Sequence, residues 1–163
     1  MAQESLGIVG YDSFHFVVEN LDRSKGFYAE KLDFKEVARG GEDLVARSGQ
    51  QSIVYGAGDV RVCVSTPLAQ HSKAARYLKR HPAGVMSLSF RVQDIGRAWD
   101  TLEKRGATML SDISEDKDGS GSYKQFEIAT PLGDVAFRYV ERSGDYGKFA
   151  PMFDTVDATS SSR

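Results

Sequence analysis

The sequence predicts an α+β domain made of two tandem βαβββ modules, with a curved eight-stranded mixed sheet and flanking helices. The first observation behind this prediction is the stretch Ser13–Phe34. It begins with the period-two alternation of a half-buried strand and then changes to helical spacing. The second observation is that the same pattern returns at Ser87–Ala107. A chain that repeats a strand followed by a helix is expected to pack its helices against the sheet that its strands form.

The third observation is the constant interval between equivalent positions of the two halves. Asn20 and Asp94, which both precede a predicted helix, lie 74 residues apart. The turns that begin at Gly58 and Gly133 share the sequence Gly-Asp-Val and lie 75 residues apart. Two anchors with nearly the same offset indicate that one module has been duplicated.

Module 1 is predicted to span residues 8–68. Its first strand alternates so that Phe14, Phe16 and Val18 share the buried face. Asn20 ends this strand and is expected to cap the helix that follows. The remaining elements are inferred from alternation, helical spacing and the glycines and prolines that end each run. The predicted elements are strands at 10–18, 34–39, 51–55 and 60–65 and a helix at 21–31, with 42–47 ambiguous.

A connecting helix is predicted within residues 69–83. Its helical spacing places Ala74, Tyr77 and Leu78 on a buried side and leaves its charged residues in water. Pro82 follows the helix and stops it.

Module 2 is predicted to span residues 84–145, so that residues 8–153 form one domain. The polar stretch Ser114–Ser122 is predicted to be a loop, either a lid or the tip of a hairpin. Residues 154–163 have the composition of a flexible linker or tail. The predicted elements of module 2 are strands at 86–93, 123–129 and 135–141, a short strand from Thr108 and a helix at 95–105.

The overall composition indicates which partners and which cellular compartment the protein is expected to have. The chain has 163 residues and a formal net charge of −2, with positive and negative residues interspersed and no basic stripe, so no nucleic-acid or membrane partner is expected. Cys63 is the single cysteine, which fits a reducing compartment. The first residues lack the features of a secretory signal, and no apolar run is long enough to span a membrane. These observations predict a cytoplasmic protein.

Several stretches of the chain carry a resemblance to a known family. The paired modules, with helix 1 carrying Phe27-Tyr28, resemble the vicinal oxygen chelate superfamily, which includes glyoxalases and extradiol dioxygenases. The order of the motifs is more specific, because it is similar to the N-terminal, non-catalytic domain of 4-hydroxyphenylpyruvate dioxygenases over residues 8–153. The motifs are Gly10–Asn20, Ser65–Leu68, Tyr77–Val85, Phe90–Ile95 and Val140–Gly144.

The resemblance implies a function in tyrosine catabolism. Enzymes of that family convert 4-hydroxyphenylpyruvate and O₂ to homogentisate and CO₂, and their C-terminal half holds Fe(II) through two histidines and one glutamate. The resemblance therefore implies that this segment holds no cofactor and is structural and inactive alone. Its partners would be a C-terminal catalytic domain of the same chain and further copies in a homo-oligomer.

Two alternatives stay open at this level. Hydroxymandelate synthases share the same architecture, so the resemblance does not separate them from the dioxygenases. The chain is either a segment of such an enzyme or a free-standing, metal-free protein of the superfamily that binds a small aromatic or acidic ligand.

The positions at which metal-binding members of the superfamily carry their ligands predict no metal site here. Seven residues before Asn20 and Asp94 lie Ser13 and Ser87, and five residues after Gly58 and Gly133 lie Cys63 and Arg138. A non-haem Fe(II) site needs imidazole and carboxylate ligands, and these four side chains offer neither. Arg138 would in addition place a permanent positive charge where the cation should lie.

The same four residues and His15 are nevertheless the candidates for a ligand pocket. His15 is either a shifted ligand or a packed histidine, and we favour the packed histidine. Cys63 is either a thiolate nucleophile or a small core residue, and no base nearby in sequence supports the nucleophile. Arg138 could bind the carboxylate of a ligand through two hydrogen bonds, or it could form a structural ion pair with an acidic neighbour. Ser13 and Ser87 complete the candidate set.

Overall fold

The computed structural model describes residues 4–156, which form nine strands and four α-helices. The helices are α1 (Leu21–Lys25), α2 (Glu42–Ser48), α3 (Lys73–Arg80) and α4 (Ile95–Lys104), and a π-helical segment, Gly26–Lys31, continues α1. The strands are β1 (Ile8–Val17), β2 (Lys35–Gly40), β3 (Gln50–Ala57), β4 (Val60–Pro67), β5 (Gly84–Val92), β6 (Ser114–Lys117), β7 (Gly121–Thr130), β8 (Gly133–Gly144) and β9 (Phe153–Thr155). None of these helices is long and apolar enough to cross a membrane.

The order of elements confirms the two βαβββ modules. Strands β1 to β4 with α1 repeat as strands β5 to β8 with α4. In each module the first strand pairs in parallel with the fourth, β1 with β4 and β5 with β8. The third and fourth strands of each module form an antiparallel hairpin. The same pairing in both halves supports the duplication inferred from the sequence.

Both module helices begin at a side-chain cap, as the sequence predicts for Asn20. The Asn20 side chain accepts hydrogen bonds from the backbone N–H groups of Asp22 and Arg23 at 2.8 and 3.2 Å. The Asp94 side chain accepts one from the N–H of Arg97 at 3.1 Å. These bonds satisfy donors that the first turn of a helix leaves without a partner, so they fix where each helix starts.

The residues form two compact units that do not coincide with the two modules. Unit 1 consists of residues up to Ser13 together with Ser87–Gly147. Unit 2 consists of Phe14–Met86 together with the described residues from Lys148 onwards. Strand β1 therefore contributes its first residues to unit 1 and its last residues to unit 2.

Each unit has its own apolar core on the helix side of its strands. In unit 1 the core is built around α4, and in unit 2 it is built against α1. Phe14, Phe16 and Val18 pack against the unit 2 core, which confirms the face that alternation predicts for β1. The buried core residues are Val92, Ile95, Ala98, Leu102, Phe126, Ile128 and Tyr139 in unit 1 and Ile53, Tyr55, Val62 and Val64 in unit 2.

The strand count corrects the prediction of an eight-stranded sheet. The ninth strand, β9, pairs antiparallel with β2, with Ala38 opposite Thr155. The predicted linker at 154–163 therefore starts inside β9, and its residues from 157 onwards lie outside the described residues. Three residues with only one apolar side chain give too short a pattern for a strand to be recognised from sequence.

Two further expectations for module 2 are corrected. The strand expected from Thr108 is only an isolated bridge between Met109 and Ile128. The second strand of the module is instead β6, which lies inside the stretch expected to be a loop. That stretch is thus the end of the β6–β7 hairpin. Strand β6 was not recognised from the sequence because its residues are polar or charged. An edge strand that is exposed to water can form without alternating apolar residues.

Tyr55 provides a test of the unit 2 core. Its side chain is fully buried and stacks on Tyr28, but its hydroxyl has no hydrogen-bond partner among the described residues. Burial, together with the charge of Glu36, raises the pKa of Tyr55 to about 12. A buried hydroxyl without a partner lowers stability because it has lost its bonds to water.

We therefore expect Tyr55→Phe to raise the free energy of unfolding by about 1 kcal/mol, since it removes the hydroxyl and keeps the stacked ring. Urea unfolding at neutral pH measures the change. Tyr55→Leu is the matched control, because it also removes the hydroxyl but loses the stacking and is expected to be destabilising. A destabilised Tyr55→Phe variant would show that the hydroxyl has a partner in solution.

Candidate functional site

The face of unit 2 opposite α1 carries a chain of short hydrogen bonds. Strand pairing sets His15 beside Cys63 and Ser52 beside Ser65. His15 Nε2 lies 2.6 Å from Ser65 Oγ, and Ser65 Oγ lies 2.6 Å from Ser52 Oγ. Both serines are buried, whereas His15 is half-buried. The two hydroxyls therefore orient the imidazole, and the tautomer of His15 sets the direction of every donor in the chain.

Cys63 lies on this face as a buried thiol. Only 3% of the residue is exposed, so an external substrate cannot reach it without movement of the strands. The structure places His15 directly opposite Cys63, a pairing that the spacing in the sequence did not reveal. These two candidates are thus neighbours in unit 2, where Cys63 is buried and His15 is half-buried.

The corresponding face of unit 1, opposite α4, carries a buried ion pair. The Asp12 carboxylate accepts two hydrogen bonds from Arg142, Nε to Oδ1 at 2.7 Å and Nη2 to Oδ2 at 3.1 Å. Arg91 Nη2 lies 3.4 Å from Asp12 Oδ1. The Asp12 side chain is 3% exposed and that of Arg142 is 19% exposed. This two-point geometry between a guanidinium and a carboxylate is the strongest form of ion pair.

The electrostatics of the pair follow from its burial. Burial alone would raise the pKa of Asp12, but the hydrogen bonds and charge of Arg142, with the charge of Arg91, outweigh it and lower the pKa below its ordinary value. The guanidinium of Arg142 also lies over the ring of Tyr123, with 4.9 Å from Cζ to the ring centroid. Tyr123 in turn stacks on Tyr146. Asp12 is therefore ionised at neutral pH and anchored to β8.

Arg138 faces the same side of unit 1 and already has an acidic partner. Its Nε and Nη2 atoms lie 3.0 and 2.5 Å from Glu127 Oε1. Burial disfavours its charge, but interactions with Tyr123 and Glu127 outweigh this and raise the pKa of Arg138 above its ordinary value. An incoming carboxylate would have to compete with Glu127 for the guanidinium. The arrangement favours a structural ion pair between Arg138 and Glu127 over the binding of a ligand carboxylate by Arg138.

Ser13 and Ser87, the remaining candidates, are both buried in unit 1. The Ser13 hydroxyl donates a hydrogen bond to Asp12 Oδ2 at 3.2 Å, so it supports the ion pair. Ser87 lies opposite Ala136, and the residue opposite Arg138 is Ser89. The equal spacings in the sequence thus do not translate into direct neighbours on β5 and β8.

The side chains present do not fit an Fe(II) site. Within residues 4–156, no group of three or more His, Cys, Asp or Glu side chains is arranged to hold a metal ion. Ser13, Ser87 and Cys63 are buried, and Arg138 is bound to Glu127. A hydroxyl and a guanidinium cannot replace the imidazole and carboxylate ligands that non-haem iron needs.

Sequence reasoning missed the pair of Asp12 and Arg142. Asp12 is the one acidic residue of strand β1, and a buried carboxylate at such a position signals a buried partner. The partner is 130 residues away, so no local pattern identifies it. Only the pairing of strands in unit 1 brings the two side chains together.

Comparison with known proteins gives the family context. Residues 10–135 match the sequence profile of the Glyoxalase/Bleomycin resistance protein/Dioxygenase superfamily. The 4-hydroxyphenylpyruvate dioxygenase of Coccidioides posadasii is 28% identical, over 93% of this chain and 41% of that protein. That of Yarrowia lipolytica is also 28% identical, over 91% of this chain and 38% of that protein. The chain thus spans less than half the length of these curated relatives.

Solved structures show the same fold. Methylmalonyl-CoA epimerase from Mycobacterium tuberculosis superposes with a TM-score of 0.67 at 21% identity, covering 86% of this chain and 92% of that one. A variant of 4-hydroxymandelate synthase from Streptomyces coelicolor gives a TM-score of 0.57 at 15% identity, covering 83% of this chain and 63% of that one. These likenesses confirm the vicinal oxygen chelate fold.

Proposed function

The chain belongs to the Glyoxalase/Bleomycin resistance protein/Dioxygenase superfamily, and on that premise we propose that it is a non-catalytic module of a 4-hydroxyphenylpyruvate dioxygenase-like enzyme. The observation that carries the proposal is the unequal coverage. The match takes in 93% of this chain but only 41% of the Coccidioides posadasii protein. The region that this chain matches is therefore one part of that longer relative.

The side chains at the candidate site support a structural role. Asp12 and Arg142 neutralise each other, and Arg138 and Glu127 do the same, so these charges hold strands together. In this proposal the Fe(II) and the oxidative decarboxylation of 4-hydroxyphenylpyruvate belong to a separate catalytic half of the same enzyme. The enzyme would work in cytoplasmic tyrosine catabolism as a homo-oligomer.

Iron content and turnover test the proposal. We expect the purified 163-residue chain, reconstituted with Fe(II) without oxygen and then desalted, to retain far less than one iron per chain. We also expect no homogentisate from 4-hydroxyphenylpyruvate and O₂. Metal analysis by mass spectrometry and product analysis by liquid chromatography make the two measurements. The Coccidioides posadasii relative, treated in parallel, is the positive control.

Either stoichiometric iron or turnover by the isolated chain would contradict a non-catalytic module. The size of the protein in its native cells supplies an independent check. A species much larger than 163 residues, detected with an antibody against this chain, is the expected result. A species of this length alone would exclude the longer enzyme.

The second candidate is a free-standing binding protein without a metal. The size of the Mycobacterium tuberculosis epimerase chain favours this candidate. This chain matches 92% of it, so a double module of about this length can form a whole chain. In that case Arg138 is the residue to test. Loss of binding of an aromatic carboxylate in Arg138→Ala, with the fold retained, would support this candidate, and a broad thermal-shift screen without any ligand would count against it.

A further inference from the structure

The tip of the β6–β7 hairpin contains the single Asp-Gly pair of the chain, Asp118-Gly119. Lys117 and Ser122 are the last residues that the two strands pair, so the Asp-Gly pair lies in the turn between them. Gly119 is exposed and has a φ of +86°, a conformation that glycine adopts readily because it has no Cβ. The turn therefore presents to water a pair of residues with a chemistry of its own.

An Asp-Gly pair can rearrange without an enzyme, because the nitrogen of a glycine is not hindered by a side chain. The Gly119 nitrogen bonds to Asp118 Cγ and loses its proton, while one oxygen of the protonated carboxyl leaves as water, which closes a succinimide ring. Water then opens the ring. If it breaks the bond between the nitrogen and the main-chain carbonyl carbon, the chain continues through Cγ and the product is isoaspartate. If it breaks the bond to Cγ, aspartate returns.

In the folded chain the Asp118 carboxylate is held by backbone N–H groups. Its Oδ1 accepts hydrogen bonds from Ser120 and Gly121, both at 3.0 Å, and its Oδ2 accepts one from Gly147 at 2.6 Å. The bond from Gly147 and then that from Ser120 lower the pKa of Asp118 below its ordinary value of 3.8. The carboxyl is therefore ionised at neutral pH and lacks the proton that ring closure needs. Bonds to both oxygens also fix the orientation of Cγ.

The bond from Gly147 joins the hairpin tip to the segment that follows β8, and two other hydrogen bonds join the same parts of unit 1. The Tyr146 hydroxyl donates to Asp116 Oδ2 at 2.5 Å, and the Asp145 N–H donates to the carbonyl of Ser120 at 3.1 Å. We name these three bonds the hairpin clasp. The clasp lies outside the apolar core around α4, so it can open while that core stays folded.

We propose that Asp118 is a latent site of isoaspartate formation, which the hairpin clasp blocks in the folded chain and which opening of the clasp releases. The product then keeps the clasp open. Isoaspartate adds one carbon atom to the main chain of the turn between Lys117 and Ser122, and its free carboxylate is attached directly to Cα. A carboxylate in that place cannot accept the same set of backbone hydrogen bonds, so Gly147 loses its acceptor.

Ageing of the full chain at neutral pH over several weeks tests the proposal. A protease that cleaves before aspartate but not before isoaspartate measures the product, as the fraction that stays uncut between Lys117 and Asp118 in peptide mass spectrometry. We expect the folded chain to form isoaspartate at least about tenfold more slowly than the chain unfolded in guanidinium chloride, since only molecules with an open clasp react. Equal rates in the folded and unfolded chains would overturn the proposal.

Tyr146→Phe tests whether the clasp itself gives the protection. It removes the hydroxyl that binds Asp116 and keeps the ring, so isoaspartate should form about threefold to tenfold faster in the folded variant. Tyr139→Phe is the matched control, because it removes a hydroxyl from a ring in the unit 1 core and should leave the rate unchanged. No acceleration in Tyr146→Phe, or the same acceleration in both variants, would overturn the proposal.

Hydrogen exchange of the Gly147 N–H tests the consequence for the clasp. In freshly purified chain this N–H should exchange slowly, because it donates to Asp118 Oδ2. In the aged molecules that carry isoaspartate, separated by ion-exchange chromatography, it should exchange at the rate of an open segment. Slow exchange in those molecules would show that the clasp re-forms and would overturn the second part of the proposal.

Discussion

Replacing Asp12 with asparagine is expected to lower the free energy of unfolding by about 3 kcal/mol at neutral pH, because it removes the buried carboxylate that accepts two hydrogen bonds from the guanidinium of Arg142. The carboxylate is 3% exposed and receives both hydrogen bonds of Arg142. An asparagine keeps the shape of the side chain but offers only one oxygen and no charge. The variant therefore isolates the contribution of the ion pair from that of packing.

The pH dependence of the natural protein should report the same pair. The folded-state pKa of Asp12 is lowered from its ordinary value of 3.8, so its ion pair stabilises the fold above that value. Stability is then lost as the pH falls below 3.8 and through the lowered folded-state pKa, since protonation breaks the pair. Asp12→Asn should show a smaller loss of stability over this acidic range.

Urea unfolding followed by the fluorescence of Trp99, the single tryptophan, measures both effects within unit 1. Asp22→Asn is the matched control, because Asp22 is exposed and lies in unit 2. The double variant Asp12→Asn/Arg142→Met should recover part of the lost stability, since it removes the buried guanidinium together with the carboxylate that it binds. If Asp12→Asn lowers the free energy of unfolding by less than about 1 kcal/mol, the ion pair of Asp12 and Arg142 must be exposed to water in solution.

Replacing Phe126 with alanine is expected to lower the free energy of unfolding by about 4 kcal/mol, which is the usual cost of removing a buried phenyl ring. Phe126 is fully buried in the unit 1 core. It stacks on Tyr139 at 5.3 Å between ring centroids and meets the edge of Trp99 at 5.1 Å. Its removal thus leaves a cavity between α4 and the strands.

Urea unfolding followed by far-UV circular dichroism measures this change without depending on the altered environment of Trp99. Phe27→Ala removes the same ring from a half-exposed position and should cost much less. Equal losses in the two variants would mean that the unit 1 core collapses around the missing ring. A Phe126→Leu variant should retain most of the stability, because it fills most of the volume.

The fold was predictable because its signals are local and repeated. Asn20 shows its capping role through its position before the helical spacing begins, and the structure confirms that role. The face shared by Phe14, Phe16 and Val18 follows from alternation alone. Strands β6 and β9 were missed because charged or very short edge strands carry no alternating pattern.

The candidate site was less predictable because its geometry depends on strand register. The sequence singled out Ser13, Ser87, Cys63 and Arg138 by equal spacing, but pairing sets Ser89 beside Arg138 and His15 beside Cys63. Register is decided by the whole set of strand contacts and not by the spacing of any two residues. The role of these residues as pocket candidates stays a prediction.

The division of strand β1 between the two units has a consequence for how this protein could be cut or evolved. A cut between the two repeats, within residues 69–83, would separate Asp12 from Arg142 although both belong to unit 1. The C-terminal fragment would also lose Leu6, which packs against the unit 1 core, and the N-terminal fragment would lose strand β9, which pairs with β2. A single repeat could regain these contacts only from a second polypeptide, whereas one chain that contains both repeats holds all of them.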